Sequence, residues 1–454
     1  MRIVCALLCL SVPIAAAADD NRSLGDRTRQ YLADLVRLDT SNPPANETQV
    51  AQYLKQAVEA FGISGELLGS DPRRMNFIAR LRGDGKGRPL LLIAHSDVAS
   101  AGDRQQWTVN PFGGELRSGF IYGRGTLDAK NLLAAQMAVM VEIKRRNLKL
   151  SRDLILVSEA DQEVGSTGIQ WLMQNAWPKI EAEFALSEGG SILEAKDGTR
   201  VFQVQMLEKP LMRVMLTARG TGSRSSQGAI VHLNEAISRL TRANADQPLR
   251  FNATTRRFFR GLSNIEEYDW LAPLWPKLEN ALTMQTAANQ IRMRDPDLDA
   301  LLHTTVYVEN EKGVNDSAEA QLDVRRMPSD TKEEVLARLR QIVNDTAVEV
   351  NLMPGSQTPA TDPSPAMTPL YSAMRRVIDR IYPHDAVVLP FMSRNSSDAS
   401  YLRWRGMPVY GVPLFVREPG ESRVRGNDER IAVKSLDEGV ELLWQMVLET
   451  AGEN

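Results

Sequence analysis

The sequence predicts an α/β fold: a mostly parallel, doubly wound main domain that carries an inserted, smaller α+β (ferredoxin-like) domain. Three observations predict it. Continuous apolar runs of strand length alternate with helical patterns across residues 76–189 and again across 369–451, as expected of parallel strands buried on both faces. From about residue 200 the runs lengthen and alternate apolar with polar, which suits a sheet with one exposed face. Acidic and other polar residues stand just after several of the apolar runs, where open parallel sheets bind ligands.

The elements follow in chain order. Residues 1–18, within "MRIVCALLCLSVPIAAAADD", combine an early arginine, an apolar core and a run of small residues. This is the pattern of a secretory signal peptide, so the chain is expected to be exported, to a periplasm or the medium. The apolar run is too short to span a bilayer comfortably, and no membrane span is expected after cleavage. "LGDRTRQYLADLVRL" and "ETQVAQYLKQAVEAFG" space their apolar residues as helices do. "NFIARL" and "PLLLIAH" predict strands, "NLLAAQMAVMVEIKRR" a helix, "DLILVSEA" a strand, "GSTGIQWLMQNAW" a helix and "EFALSEG" a strand. "RVFQVQMLEKPLMRVMLTARG" reads as two long alternating strands. "HLNEAISRLTRA" and "KEEVLARLRQIV" read as helices, "SAEAQLDVRRM" and "AVEVNLM" as strands. The Pro-, Ser- and Thr-rich stretch 354–369 reads as a linker. "PLYSAMRRVIDRIY", "AVVLPFM", "PVYGV" and "SLDEGVELLWQMVLETA" then resume the first style. The expected division is a main domain at 19–206 and 354–454 and an insert at 207–353.

Composition excludes some functions. Net charge is −3 and no basic tract dominates, so nucleic acid is not an expected partner. The short cluster "RRFFRG" (256–261) reads as a solvated face. The only cysteines, Cys5 and Cys9, lie in the signal segment. The mature chain therefore has no disulfide, no thiol nucleophile and no cysteine-type zinc site.

The candidate chemistry lies after the apolar runs. "LLLIAHSDV" ends in His95 and Asp97, which share a face of the strand, so Asp97 is placed to orient the His95 ring. "GRGTLDAKN" puts Asp128 in a turn before a helix, "ADQEVGS" supplies Asp161 and Glu163, and "LSEGG" supplies Glu188. Alone, His95 reads as a packed core histidine and Asp128 as a helix cap. Together they form a nitrogen-and-oxygen set that suits a divalent metal, zinc above all.

These residues resemble the di-zinc exopeptidase and amidase family that includes acetylornithine deacetylase, succinyl-diaminopimelate desuccinylase, carboxypeptidase G and aminoacylase. The matching stretches run in order from about 90 to 431: "LLLIAHSDV", "WTVNPFGGELRSGFIYGRGTLDAKN", "DQEVGS", "SEGG", "LDVRRMP", "SSDASYLRWRGMPVYG" and "GNDERI". The resemblance implies a catalytic domain with an inserted lid and dimerisation domain, and hydrolysis of an amide or peptide bond in a small molecule or peptide bearing a free carboxylate. A homodimer through the lid is common in the family. His95, Asp128 and Glu188 would hold the first metal, Asp128 would bridge to a second, and Glu163 would be a ligand of that second ion. Asp97 would support His95. Ser396, Ser397 and Asp398 match a segment that lines the family's cleft and are candidate substrate contacts, while Arg325 reads as structural.

The chain departs from the family chiefly at three positions, with smaller departures at Asn131 and in "GVNDS" (313–317). Gln162 stands where the family has its general-base glutamate, and an amide does not take up a proton near neutrality. Arg425, in "RVRGNDERI", stands where a histidine would bind the second zinc, and arginine offers no free lone pair. Arg224 replaces a histidine of the lid and remains a candidate substrate contact. Arg425 is a candidate substrate contact too, and is also expected to pair with the carboxylates and replace the charge of a second metal. The expectation is therefore one zinc, at most two, and weak turnover by the usual route. The alternative is a binding protein or pseudoenzyme that keeps the cleft and has lost the chemistry.

Overall fold

The structure, a computed structural model, describes residues 22–219, 225–314, 317–416 and 423–453. The segment expected to be a signal peptide, both cysteines and Arg224 lie outside these residues.

The chain is of the α/β class, with a large, mostly parallel sheet. Gly87–His95 lies between Arg152–Glu159 and Phe184–Ser187, parallel to both, and Val409–Gly411 extends the parallel run beyond Phe184–Ser187. Antiparallel strands Asn76–Leu81 and Gly65–Leu68 finish one edge. Alternating side chains of the central strands go to opposite faces. Leu90, Leu92 and Ala94 join the core under the helices Leu24–Arg37, Lys130–Arg145 and Val433–Ala451. Leu91 and Ile93 join a second core with Ile169 and Leu172 of the helix Thr167–Asn175. Burial on both faces is why these strands read as unbroken apolar runs.

The second sheet is four-stranded and antiparallel, in the order Thr305–Val314, Ser317–Arg325, Leu211–Arg219, Val348–Gln357. The helices Ser225–Ala243 and Lys332–Val343 supply its core, giving the strand–helix–strand–strand–helix–strand order of a ferredoxin-like unit. The chain enters this sheet after Lys209–Pro210 and leaves it after Gln357, so both ends lie a few residues C-terminal to those of the expected 207–353.

Three expectations change. The strand Arg200–Glu208 belongs to the large sheet, parallel to Ala386–Ser393, and is buried on both faces rather than alternating. The stretch read as a linker begins inside the strand Val348–Gln357, and its Ser364 is buried, bonded to Met206 and Val409. In "RRFFRG" the arginines are exposed, but Phe258 and Phe259 fill a core against Leu389 and Met392 of the sheet edge. Among the described residues no helix is long and apolar enough to cross a membrane.

Candidate metal centre and cleft

The candidate centre is built where the parallel strands end. Gly87–His95 ends in His95, and Glu188 follows Phe184–Ser187. Asp128 lies in the turn before the helix Lys130–Arg145, and Glu163 in the turn after Arg152–Glu159. The fold thus gathers four of the predicted side chains from separate loops.

His95 is fully buried. Its Nε2 lies 3.2 Å from Asp128 Oδ1 and 3.3 Å from Glu188 Oε2. Its Nδ1 lies 2.9 Å from the main-chain carbonyl oxygen of Asp97. A proton on Nδ1 donates to that carbonyl and leaves the Nε2 lone pair facing the two carboxylates. Among the described residues this is the one group of three such side chains whose ligand atoms all lie within 4.8 Å of one another. A tetrahedral zinc site with bonds of about 2.0 Å has ligand-to-ligand edges of roughly 3.3 Å, which the two edges from His95 match at 3.2 and 3.3 Å; the donor set suits one such ion. Burial alone would lower the His95 pKa, but Glu188 and the bonds to Asp128 and Asp97 raise it well above its usual value. The same field favours any cation beside Nε2.

Glu163 stands apart from this trio, on the far side of Asp128, and Arg425 joins them. Arg425 Nε donates to Asp128 Oδ2 at 3.0 Å, and Nη2 lies 2.6 Å from Glu163 Oε2. Burial would raise the Asp128 carboxyl, but His95 and Arg425 hold it well below the carboxylate range. Burial and the Asp128 charge push Glu163 up to about 8, with Arg425 opposing.

Asp97 acts differently from the expectation. The close acceptor for His95 is its main-chain oxygen; its carboxylate Oδ1 is farther away, at 3.4 Å. The carboxylate instead accepts the backbone N–H of Gln162 at 3.1 Å and of Glu163 at 3.0 Å, and fixes their turn. Asn42 Nδ2 donates to both Asp97, at 2.9 Å, and Asp161, at 2.8 Å. Arg74 pairs with Asp161 as well. Asn42 and Arg74 gave no sequence signal, because irregular segments bring them to the site. Asp161, bound also by Thr167, is committed to structure and not free to replace the missing base.

Gln162 lines a polar cleft of about 240 Å³ between the two sheets, together with Glu163, Ser396, Arg213, Arg325 and Arg425. Arg325, read as structural, therefore faces the cleft, where its Nη1 donates to Ser396 Oγ at 2.9 Å. Ser397 lines it too, held by Glu208, which accepts from its N at 3.0 Å and its Oγ at 2.7 Å. Asp398, expected at the cleft, is 2 % exposed and does not line it. Burial pushes its carboxyl up to about 8, so it is an acid of the interior. Of the other histidines, His232 pairs with Asp345 and His303 with Asp299, while His384 is exposed; none joins the centre.

Comparison with known proteins agrees with this architecture. The sequence model described as Peptidase family M20/M25/M40 matches residues 91–449. The human N-fatty-acyl-amino acid synthase/hydrolase PM20D1 is 25% identical over 421 residues, covering 89% of this chain and 80% of that protein. The crystal structure of the M20 family metallo-carboxypeptidase Sso-CP2 from Sulfolobus solfataricus superposes with a TM-score of 0.71 at 19% identity, over 94% of this chain and 99% of that one. The Bacillus subtilis YXEP protein, described as a dinuclear metal binding peptidase from the M20 family, superposes with a TM-score of 0.52 at 15% identity, over 94% and 99% of the two chains.

Proposed function

The chain belongs to the peptidase family M20/M25/M40, a family of peptidases and amidases, and from that premise we propose that it hydrolyses an amide or peptide bond near a free carboxylate, with zinc held by His95, Asp128 and Glu188. The observation that carries the reading is the convergence of one imidazole nitrogen and two carboxylates within 4.8 Å. Zinc bound by such a set polarises a carbonyl oxygen and makes a water acidic. The chain's own groups do the remaining work. Arg213 and Arg325, which share Asp323 between them at 3.3 and 3.6 Å, line the cleft and are the groups that would meet a substrate's carboxylate. Asp97 holds the turn that carries Gln162 and Glu163. Gln162 can donate a hydrogen bond but cannot take up and return a proton, so turnover is slow.

Gln162 also favours a second reading, a carboxylate-binding protein that has lost turnover. One experiment separates the two. Turnover is measured on a panel of N-acyl-amino acids and dipeptides for the wild type and for Gln162→Glu/Arg425→His. Slow wild-type hydrolysis, rising about 10²-fold or more in the double variant, is expected from a restored general base. A wild type that turns over at about 1 s⁻¹ or faster, with no gain in the double variant, sinks the impaired-base reading. No turnover by the wild type on any substrate favours the binding protein.

Export is part of the proposal and rests on the pattern of residues 1–18. An N-terminus starting near Asp19 in protein recovered outside the cytoplasm supports it; an intact Met1 overturns it.

A further inference from the structure

The family's second metal place does not fit a metal in this chain. It lies between Asp128 and Glu163, and the guanidinium of Arg425 spans those same two carboxylates, with Nε 3.0 Å from one and Nη2 2.6 Å from the other. Asp128 divides its oxygens, Oδ1 toward His95 at 3.2 Å and Oδ2 toward Arg425 at 3.0 Å. It bridges a metal-binding set and a fixed organic cation, as a carboxylate between two ions would.

The backbone delivers Arg425 to this place. Its N–H donates to Glu429 at 3.2 Å, and its carbonyl accepts from Arg124 Nη2 at 3.0 Å. Its φ is +60°, the left-handed region that a non-glycine residue occupies only when held there. Glu429 is fully buried, pairs with Arg124, and also accepts the backbone N–H of Gly125 at 3.0 Å and of Leu127 at 2.9 Å. One buried ion pair therefore holds both the turn leading to Asp128 and the residue opposite it. The clamp uses only the main chain of residue 425, so any side chain there is delivered to Asp128.

Charge completes the argument. Arg425 already meets Asp128 and Glu163 with a charge that is never lost. A divalent ion between the same two carboxylates would stand against that guanidinium, and Gln162 adds no anion to draw it in. The Nη1 of Arg425 has no partner among the described residues, and the half-exposed side chain lines the cleft, so its N–H groups are free to meet a ligand oxygen.

We propose that Arg425 is a built-in second cation, and that the identity of residue 425 sets the centre at one metal ion. The inference rests on the reading of His95, Asp128 and Glu188 as a zinc site. The test is a metal count on the full chain, stripped with a chelator, reloaded with zinc and passed through gel filtration. One tightly held zinc per chain is expected for the wild type and for Arg425→Lys, and two for Arg425→His. Cobalt titration supplies a second readout: only Arg425→His should gain absorption on the second equivalent. Two tightly held zinc ions in the wild type would overturn the proposal whether or not any variant folds. So would a folded Arg425→His that still holds one. No zinc in the wild type would instead overturn the reading of the first site.

Discussion

At the scale of single residues, the centre depends on groups that never touch its ion place. Asp97 accepts two successive backbone N–H groups and the Asn42 amide while its own carbonyl meets His95. Replacing it with asparagine keeps the shape but puts a donor where three donors converge. Asp97→Asn should weaken zinc binding about 10- to 100-fold, the usual effect of losing a group that orients a ligand, with an unchanged circular dichroism spectrum; competition against a coloured chelator measures it. Equal affinity would make Asp97 a bystander. Glu47 has a different effect. It is fully buried, accepts the Asp161 N–H at 3.1 Å and has a second oxygen without a partner. Burial and the nearby Asp97 charge push its carboxyl up to about 7. A raised carboxyl favours the folded state while it stays protonated, so its contribution is full below the unfolded value, roughly pH 4.5. It is lost as pH rises through about 7. Glu47→Gln should therefore flatten the pH dependence of stability across that window and be the more stable form at pH 8. Urea unfolding at both ends of the window checks this, and parallel curves for the two proteins would contradict it.

At the scale of elements, the sequence is readable where burial follows the local period. Leu90 to Ala94 are apolar without a break because both faces of their strand are covered, and the polar residues that follow stand out against that run. The strand Arg200–Glu208 escapes the same reading. Its Gln203 and Gln205 look like an alternating, half-exposed pattern, but both are buried and paired, with Ser191 and Glu208 respectively. The helices between residues 253 and 299 were equally hidden: arginines flank the phenylalanines of Ala253–Leu262, and only the fold shows a core beneath them. The joint between the sheets depends on tertiary neighbours that no local pattern encodes. There Glu208 binds Ser397 and Arg403, while Lys209 reaches the other way, with Nζ donating to the carbonyls of Ala300 and His303 and to Thr305 Oγ1. Three acceptors match the three protons of an ammonium. Lys209→Met strands those acceptors in the interior, and should cost about 3 kcal/mol of stability, read from the urea midpoint at constant slope. A loss within about 0.5 kcal/mol, typical of an exposed position, would show that the joint does not depend on this side chain.

At the scale of the whole molecule, the two sheets meet across the cleft through arginines. Arg213 and Arg325 come from the small sheet; Arg213 Nη1 donates to the Val164 carbonyl at 2.6 Å and Arg325 Nη1 to Ser396 at 2.9 Å, both on loops of the large sheet. Burial lowers the Arg325 pKa, and the charges of Arg425 and Arg213 add to that, with Asp323 opposing. The same cleft is lined by Glu163, Glu309 and Asp323, and Asp323 lies 3.3 Å from Arg213 and 3.6 Å from Arg325. On the proposed function, the carboxylate of a substrate meets Arg325 here in place of part of that pairing. Arg325→Ala should weaken the binding of an N-acetyl-amino acid by about 10-fold or more, the scale of a lost charge-assisted hydrogen bond, while the same ligand with its carboxylate converted to an amide should bind both proteins equally weakly. Calorimetry on the zinc-loaded proteins measures both, and needs no turnover. Where turnover is measurable, KM should rise more than kcat falls, because the contact is made in the ground state as well as the transition state. If the amide ligand loses as much affinity as the acid on Arg325→Ala, the guanidinium holds the cleft's shape rather than a carboxylate, and the ligand's charge must then be met by Arg213 or Arg425.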